Sequence, residues 1–161
     1  MKIYYFAPLK FTSVASFRFI ALKKNYKNVI GIHNPIDIGI LNGGAITVWL
    51  YKVGIYKNYN FQKINKKLIK RITPDKSKGI LILDKAQCIS IDTLTSIRAK
   101  CPNYVFVNYN PDNEFCSTSF GWSLYMQCLP IINLIFSMRV SNVKEYKRLG
   151  VNFAHLLYGY S

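Results

Sequence analysis

The sequence predicts an α/β protein with a Rossmann-like, doubly wound and mostly parallel sheet of about six strands and helices on both faces. The clearest signal is a set of short, continuous apolar runs, such as residues 79–84 and 104–108. Strands that are covered on both faces show this pattern. Helical patterns with short connectors separate these runs, which favours successive right-handed β-α-β units.

Each element has a local reason for its position. Ser13 or Thr12 can cap the first helix, Asn34-Pro35 ends the second strand, and Gly150 ends the last helix. The predicted strands are residues 2–7, 28–33, 79–84, 104–108, 131–136 and 152–158, and the predicted helices are residues 14–25, 60–72, 91–100, 119–128 and 142–149. The apolar tract 38–51 contains two glycines and is too short to span a bilayer, so we expect a buried or interfacial helix there.

The composition indicates one globular domain over residues 1–161, with 50% hydrophobic and 18% charged residues. There are 22 Lys and Arg residues against 7 Asp and Glu, a net charge of +15. Such a surface attracts phosphates, anionic lipid or nucleic acid, although a compositional bias of the source would produce the same excess. Helix 60–72 carries an apolar stripe opposite a basic face, which indicates a solvated surface helix or one that lies on an anionic membrane.

The four cysteines lie too far apart for a metal-binding pair, and we expect free buried thiols. The amino terminus lacks the layout of a signal peptide, which predicts a cytoplasmic protein. The first turn has no Gly-x-Gly-x-x-Gly, and no phosphate-binding Gly-x4-Gly-Lys or Gly-x-Ser-x-Gly motif is present. A dinucleotide oxidoreductase, a P-loop enzyme and a serine hydrolase are therefore disfavoured, and no metal site is predicted.

Polar side chains follow the predicted strands and are the candidate site. They are His33, Asp84, Lys85, Asn110, Asp112, Asn113, Ser137 and Asn142, with Arg18 one turn into the first helix. Because parallel strands end at one edge, we expect these side chains to meet in a shared cleft. Asp112 could take a proton from a hydroxyl nucleophile, or it could simply belong to a turn. The other candidates also have structural alternatives to a role in the site. Asp84 and Lys85 could form an internal ion pair, Arg18 could be an ordinary surface residue, and His33 could be an ordinary residue at a strand end.

Five motifs in succession resemble the amino-terminal lobe of GT-B-fold glycosyltransferases, most closely the spore-maturation-protein-B-like group. They are the strand that ends in Asp84-Lys85, the helix from Ser90 to Arg98, Asn-Tyr-Asn-Pro-Asp-Asn from Asn108, Leu-Pro-x4-Ile-Phe-Ser from Leu129, and Asn-Val-x-Glu-Tyr-x-x-Leu-Gly from Asn142. The resemblance implies an acceptor-binding lobe in which Asp112 is the candidate base. It also implies that Thr12, Ser13 and Arg18 lie near the cleft.

The resemblance also implies that the donor-binding carboxyl-terminal lobe is absent from this chain. The expected function is that of the acceptor-side lobe of an enzyme that moves a sugar from a nucleotide-sugar to a hydroxyl. We expect no cofactor on this lobe, and a nucleotide-sugar donor in the complete enzyme. The expected partners are the missing lobe or a separate donor-binding protein, and an anionic or lipid-linked acceptor at the inner membrane face. Alternatives are a basic nucleic-acid-binding module, with 12 tyrosines available for stacking, or a non-catalytic interaction domain.

Overall fold

The computed structural model of the chain describes residues 1–34, 55–113, 115 and 122–156. Six strands and five α-helices alternate along this part of the chain. The strands are β1 (Lys2–Ala7), β2 (Val29–His33), β3 (Gly79–Asp84), β4 (Tyr104–Asn110), β5 (Leu134–Ser137) and β6 (Phe153–His155). The helices are α1 (Val14–Asn25), α2 (Ile55–Arg71), α3 (Ile91–Lys100), α4 (Trp122–Cys128) and α5 (Val140–Leu149), with a 3₁₀ turn at Leu129–Ile131.

All six strands belong to one parallel sheet with the order β2-β1-β3-β4-β5-β6. The register pairs Asp84 with Tyr109 and Asn110 with Ser137, so the polar strand ends are level with one another. We call this side of the sheet the carboxyl edge. The predicted α/β class and the parallel, Rossmann-like sheet are thus confirmed.

Successive residues of each strand point to opposite faces of the sheet, and the two faces are covered unequally. One face, here called the packed face, meets the four helices α2 to α5 through a large apolar cluster. Tyr4 and Phe6 of β1 belong to it, as do Leu68, Leu94, Tyr125 and Tyr146 of the four helices. This face holds most of the buried apolar surface that stabilises the domain.

The other face, here called the α1 face, is covered by α1 alone among the described helices. Its smaller cluster joins Tyr5 of β1 and Val29 of β2 to Ala15 of α1, with Phe19 and Leu22 packed against it. Ser13 caps α1, because its Oγ accepts a hydrogen bond of 3.1 Å from the Ser16 amide. The helix therefore begins where the sequence predicts, and Ser13 rather than Thr12 is the cap.

Most predicted elements are confirmed, and the differences have local causes. The strand β5 begins at Leu134 instead of residue 131, because Pro130 lies in the 3₁₀ turn. The helix α5 begins at Val140, two residues early, and β4 runs on to Asn110. The strand β6 is shorter than predicted, with only three residues. The predicted apolar helix within residues 38–51 and the start of the predicted helix at residue 119 lie outside the described residues.

The basic amphipathic helix is confirmed as α2. Its stripe of Phe61, Ile64 and Leu68 is buried, as is Ile72 just beyond it. The cations on its outer side are all exposed: Lys63, Lys66, Lys67, Lys70 and Arg71. The helix therefore buries an apolar stripe in the packed face and presents five positive charges outward.

Three of the four cysteines, Cys88, Cys101 and Cys128, are free and buried, as predicted, while Cys116 lies outside the described residues. Burial raises the pKa of the Cys88 and Cys128 thiols to about 12. Thiols held protonated in this way are poor nucleophiles and metal ligands. They serve as small apolar side chains of the core.

Candidate functional site

The carboxylate of Asp84 is the most deeply buried acidic group among the described residues. It lies at the end of β3, is fully shielded from solvent, and points to the α1 face. The Arg18 Nε and Nη2 atoms donate to Asp84 Oδ2 over 2.9 and 2.8 Å. The Tyr5 hydroxyl donates to the same oxygen. Three donors thus converge on one oxygen, while Asp84 Oδ1 has no hydrogen-bond partner in the described part of the chain.

The environment of this cluster changes the proton affinities of its members. Burial raises the pKa of the Tyr5 phenol above its ordinary value of 10.0, and the adjacent Asp84 carboxylate raises it further. Burial alone would lower the pKa of Arg18, but the charge of Asp84 and the hydrogen bonds to Tyr5 and Asp84 together outweigh it, and the pKa is raised. The Arg18 guanidinium also lies 4.3 Å from the centre of the Tyr109 ring, a cation–π contact. Tyr5 is therefore held as a neutral donor and Arg18 as a fixed cation.

A groove of about 620 Å³ opens beside this cluster, between α1 and the strands β3 to β5. Its floor is apolar and includes Ile82, Val107 and Phe136, and its polar end is formed by Arg18 and Asp84. Volumes of this size are typical of sites for small molecules. The groove exists because α1 covers β1 and β2 but leaves much of β3 to β5 open on this side.

A second charged pair lies at the carboxyl edge itself. The Lys85 Nζ atom is 3.2 Å from Asp112 Oδ2, and both side chains are about one-third exposed. Lys85 has a φ of 55°, a left-handed conformation that is uncommon for residues other than glycine. Its amide donates to the Tyr109 carbonyl over 3.3 Å. This backbone turn places the Lys85 side chain at the edge, where an incoming ligand can reach it.

Buried side-chain amides of neighbouring asparagines hold the turn that carries Asp112. Asn110 Oδ1 accepts from the Asp112 amide over 3.0 Å, and Asn142 Nδ2 donates to the Asp112 carbonyl over 2.9 Å. The same Asn142 atom lies 3.4 Å from Ser137 Oγ. Asn113 Oδ1 accepts from the Phe115 amide over 3.3 Å. Four polar side chains thus position the backbone around Asp112: Asn110, Asn113, Ser137 and Asn142. The Asp112 carboxylate itself pairs with the Lys85 ammonium.

The loop between β1 and α1 approaches the same edge. His33 Nδ1 accepts from the Leu9 amide over 3.0 Å, so His33 holds this loop in place as a neutral imidazole. Burial lowers the pKa of His33, and the nearby cations Lys67 and Lys10 lower it further. Ser13 Oγ donates to the Pro8 carbonyl over 2.6 Å, and Thr12 is exposed in the turn. His33 and Ser13 are therefore occupied in shaping the loop.

The expectation that all strand-end side chains meet in one cleft is wrong in part. Asp84 points to the α1 face, whereas Ser137 lies on the packed face with Asn142. The alternative of an internal ion pair holds for each residue separately and not between them, because Asp84 pairs with Arg18 and Lys85 pairs with Asp112. Neighbouring residues at a strand end point in opposite directions, so one edge carries polar groups on both sides of the sheet.

Sequence reasoning missed Tyr5 and Tyr109, which complete the surroundings of Arg18. Tyr5 lies inside an apolar run in β1, where a tyrosine reads as an ordinary core residue. Its role depends on the pairing of β1 with β3, which puts Tyr5 beside Ile82 and two residues from Asp84. The sequence alone does not give the order of strands in the sheet, and this order brings Tyr5 to the Asp84 carboxylate.

Comparison of the chain with protein-family models and with curated proteins finds no match. Across residues 1–34, 55–113, 115 and 122–156, no group of three or more His, Cys, Asp or Glu side chains is placed to hold a metal ion. None of the helices within those ranges has both the length and the apolar character that a membrane span needs.

Proposed function

We propose that this chain is the acceptor-side lobe of a glycosyltransferase that moves a sugar from a nucleotide-sugar to a hydroxyl acceptor. The observation that carries the proposal is the partly exposed Asp112 carboxylate at the carboxyl edge, 3.2 Å from Lys85. Ligands of open parallel sheets bind at this edge. The succession of motifs that resembles the GT-B amino-terminal lobe falls on β3, α3, β4, β5 and α5, in the same order.

In the proposed reaction, Asp112 is the base. The acceptor oxygen attacks the anomeric carbon of the donor sugar, the bond from that carbon to the nucleotide phosphate breaks, and Asp112 receives the hydroxyl proton. Lys85 would turn from Asp112 towards a phosphate of the acceptor. The buried amides of Asn110 and Asn142 hold the Asp112 backbone, which fixes the distance between base and acceptor.

A second lobe or a separate protein would supply the nucleotide-sugar. The groove beside Arg18 and Asp84 is apolar along most of its length, which suits an acceptor with an apolar portion next to its hydroxyl. The net charge of +15 favours an acceptor that also carries a phosphate.

The test is nucleotide release from a panel of uridine, guanosine and thymidine diphosphate sugars, with the chain in its full open reading frame and with membrane extract as acceptor. Replacing Asp112 by Asn should lower kcat by about 100-fold or more, as expected for loss of a general base. Asp92→Asn, at an exposed carboxylate in the first turn of α3, is the matched control. Turnover that survives Asp112→Asn, or no sugar transfer from any donor, would contradict the proposal.

A second candidate function, binding of a polyanion such as nucleic acid, is favoured by the five exposed cations of α2. Oligonucleotide binding that weakens steeply with salt and is lost in a Lys63→Gln/Lys66→Gln variant would support it. Binding that is unaffected by this double substitution would count against α2 as the interface.

A further inference from the structure

Four large apolar side chains stand exposed together on the outer side of α1 and in the loop before it. Their exposed fractions are 95% for Phe11, 66% for Val14, 61% for Phe17 and 59% for Ile20. Single exposed apolar residues are ordinary on protein surfaces, but three along one helix with a fourth in the loop just before it indicate an interaction site. We call these four residues the α1 outer surface.

The spacing of these residues explains why they form one surface. Val14, Phe17 and Ile20 follow each other at intervals of three, which places them along one side of the helix. The opposite side of α1 packs on the sheet through Ala15, with Leu22 against the same cluster. The helix is therefore apolar on two sides, and packing among the described residues accounts for only one of them.

The charged side chains of residues 1–34, the segment that contains this surface, all have the same sign. Residues 1–34 contain five lysines and one arginine, with no aspartate or glutamate. Arg18 turns inward to Asp84, while Lys10, Lys23 and Lys24 are exposed beside the apolar group. Exposed apolar side chains with lysines around them match a surface that is apolar inside and negative outside.

We propose that the α1 outer surface docks this protein on an anionic lipid bilayer. Phe11 and Phe17 would insert among the acyl chains near the headgroups, and Lys10, Lys23 and Lys24 would lie on lipid phosphates. A second copy of the chain is a poorer occupant, because two surfaces of the same positive sign repel each other. Over residues 61–71, where the side chains of α2 are described, its outer face is positive and shows no exposed apolar group, so this stretch provides attraction without insertion.

Docking through α1 also orients the carboxyl edge. Phe11 lies in the loop that leaves the end of β1, so it projects from the same edge as Lys85 and Asp112. The edge would then lie close to the headgroups. Binding to a bilayer does not require sugar transfer, so a protein without transfer activity can still dock through the α1 outer surface.

The first arm of the test is co-sedimentation of the full chain with phosphatidylcholine vesicles, with and without phosphatidylglycerol. Binding is expected only to the anionic vesicles. Phe11→Ser and Phe17→Ser should each weaken binding by about tenfold, because each removes a buried aromatic ring from the bound state. Leu149→Ser removes an exposed apolar side chain at the end of α5, away from the carboxyl edge, and should leave binding unchanged.

The second arm of the test identifies which lysines contribute to vesicle binding. Lys23→Gln/Lys24→Gln should weaken binding by more than about tenfold, since each lysine near an anionic surface contributes about fivefold. Lys63→Gln/Lys66→Gln on α2 removes the same charge and should have a clearly smaller effect. Circular dichroism of every variant checks that the fold is kept.

Three results would overturn the proposal. They are equal binding to neutral and anionic vesicles, vesicle binding that the α2 double substitution weakens as much as the α1 double substitution, and undiminished vesicle binding by Phe17→Ser. A dimer detected by light scattering and broken by Phe17→Ser would assign the surface to a second copy of the chain instead.

Discussion

The packed face and the α1 face belong to the same strands, but different interactions hold the helices on each face. On the packed face, four helices bury a continuous apolar cluster that includes Phe6, Leu83 and Phe106. On the α1 face, α1 is the one helix that the described residues provide; it leaves a groove, and a buried ion pair joins it to the sheet. Apolar packing therefore stabilises one side of this domain, while a few specific polar contacts position the other.

The largest expected effect is on the buried ion pair of the α1 face. Arg18→Met keeps the aliphatic part of the side chain but leaves the fully buried Asp84 carboxylate without its cation. Removal of one partner from a buried pair is costly, and we expect a loss of about 3 kcal/mol in the free energy of unfolding. Urea unfolding followed by circular dichroism measures it.

The edge pair provides the matched control for this prediction. Lys85→Met removes the cation from Asp112, but both side chains of that pair are about one-third exposed. Water replaces the lost contact, so the expected loss is less than about 1 kcal/mol. If both variants lose the same free energy, the buried pair does not hold the α1 face and the comparison between the two faces fails.

The next prediction compares the loss of stability when a glycine is replaced by alanine on each face. A Cβ at Gly79 would collide with the ring of Tyr104, which is buried in the packed face and bonded through its hydroxyl to Asp75 over 3.0 Å. Because this ring has no room to move, Gly79→Ala should cost about 2 kcal/mol, typical of an overpacked core.

The matched substitution on the α1 face should cost less. A Cβ at Gly31 would collide with the outer edge of the Phe19 ring, which is only half-buried. The ring can turn towards solvent, so Gly31→Ala should cost less than about 1 kcal/mol. Thermal unfolding of both variants measures the difference. A larger loss at Gly31 than at Gly79 would show that the α1 face is the more rigid of the two.

The sequence predicted the strands of this sheet well, because buried parallel strands are continuous apolar runs with clear ends. The bounds of β1, β3, α1 and α3 agree with the prediction to the residue. The pairing of Arg18 with Asp84 was not predictable in the same way. It requires knowing that α1 lies beside β3, a contact between residues 66 positions apart.

The sequence predicted which edge of the sheet carries the candidate site, but it did not predict the direction of the side chains there. Residue order placed Asp84, Asp112 and Ser137 near one edge, and the register confirms that their strands end level with one another. The direction of each side chain depends on the last residue of its strand. The sequence-based end of β4 at residue 108 was two residues early, since Tyr109 and Asn110 still pair with β5. Strand ends are set by neighbouring strands as much as by local sequence.

The smallest expected effect is a pH dependence confined to the α1 face. His33 accepts a hydrogen bond from the Leu9 amide through Nδ1, and its pKa is lowered from 6.5 by burial and by Lys67 and Lys10. A lowered pKa means that the neutral form is favoured in the folded protein. Its stabilising effect is therefore complete above pH 6.5 and is lost as the pH falls through the lowered pKa.

Acidification should cost at most about 1 kcal/mol, the value of one hydrogen bond, because a protonated Nδ1 cannot accept. An NMR titration would show the Leu9 amide shifting together with the His33 ring, while amides of the packed face such as Leu81 stay unchanged. His33→Asn keeps a neutral acceptor and should remove this pH dependence. A Leu9 amide that does not respond as His33 titrates would mean that the loop before α1 is held by Ser13 and its carbonyl contacts instead, and the α1 face would then owe its position to the helix cap.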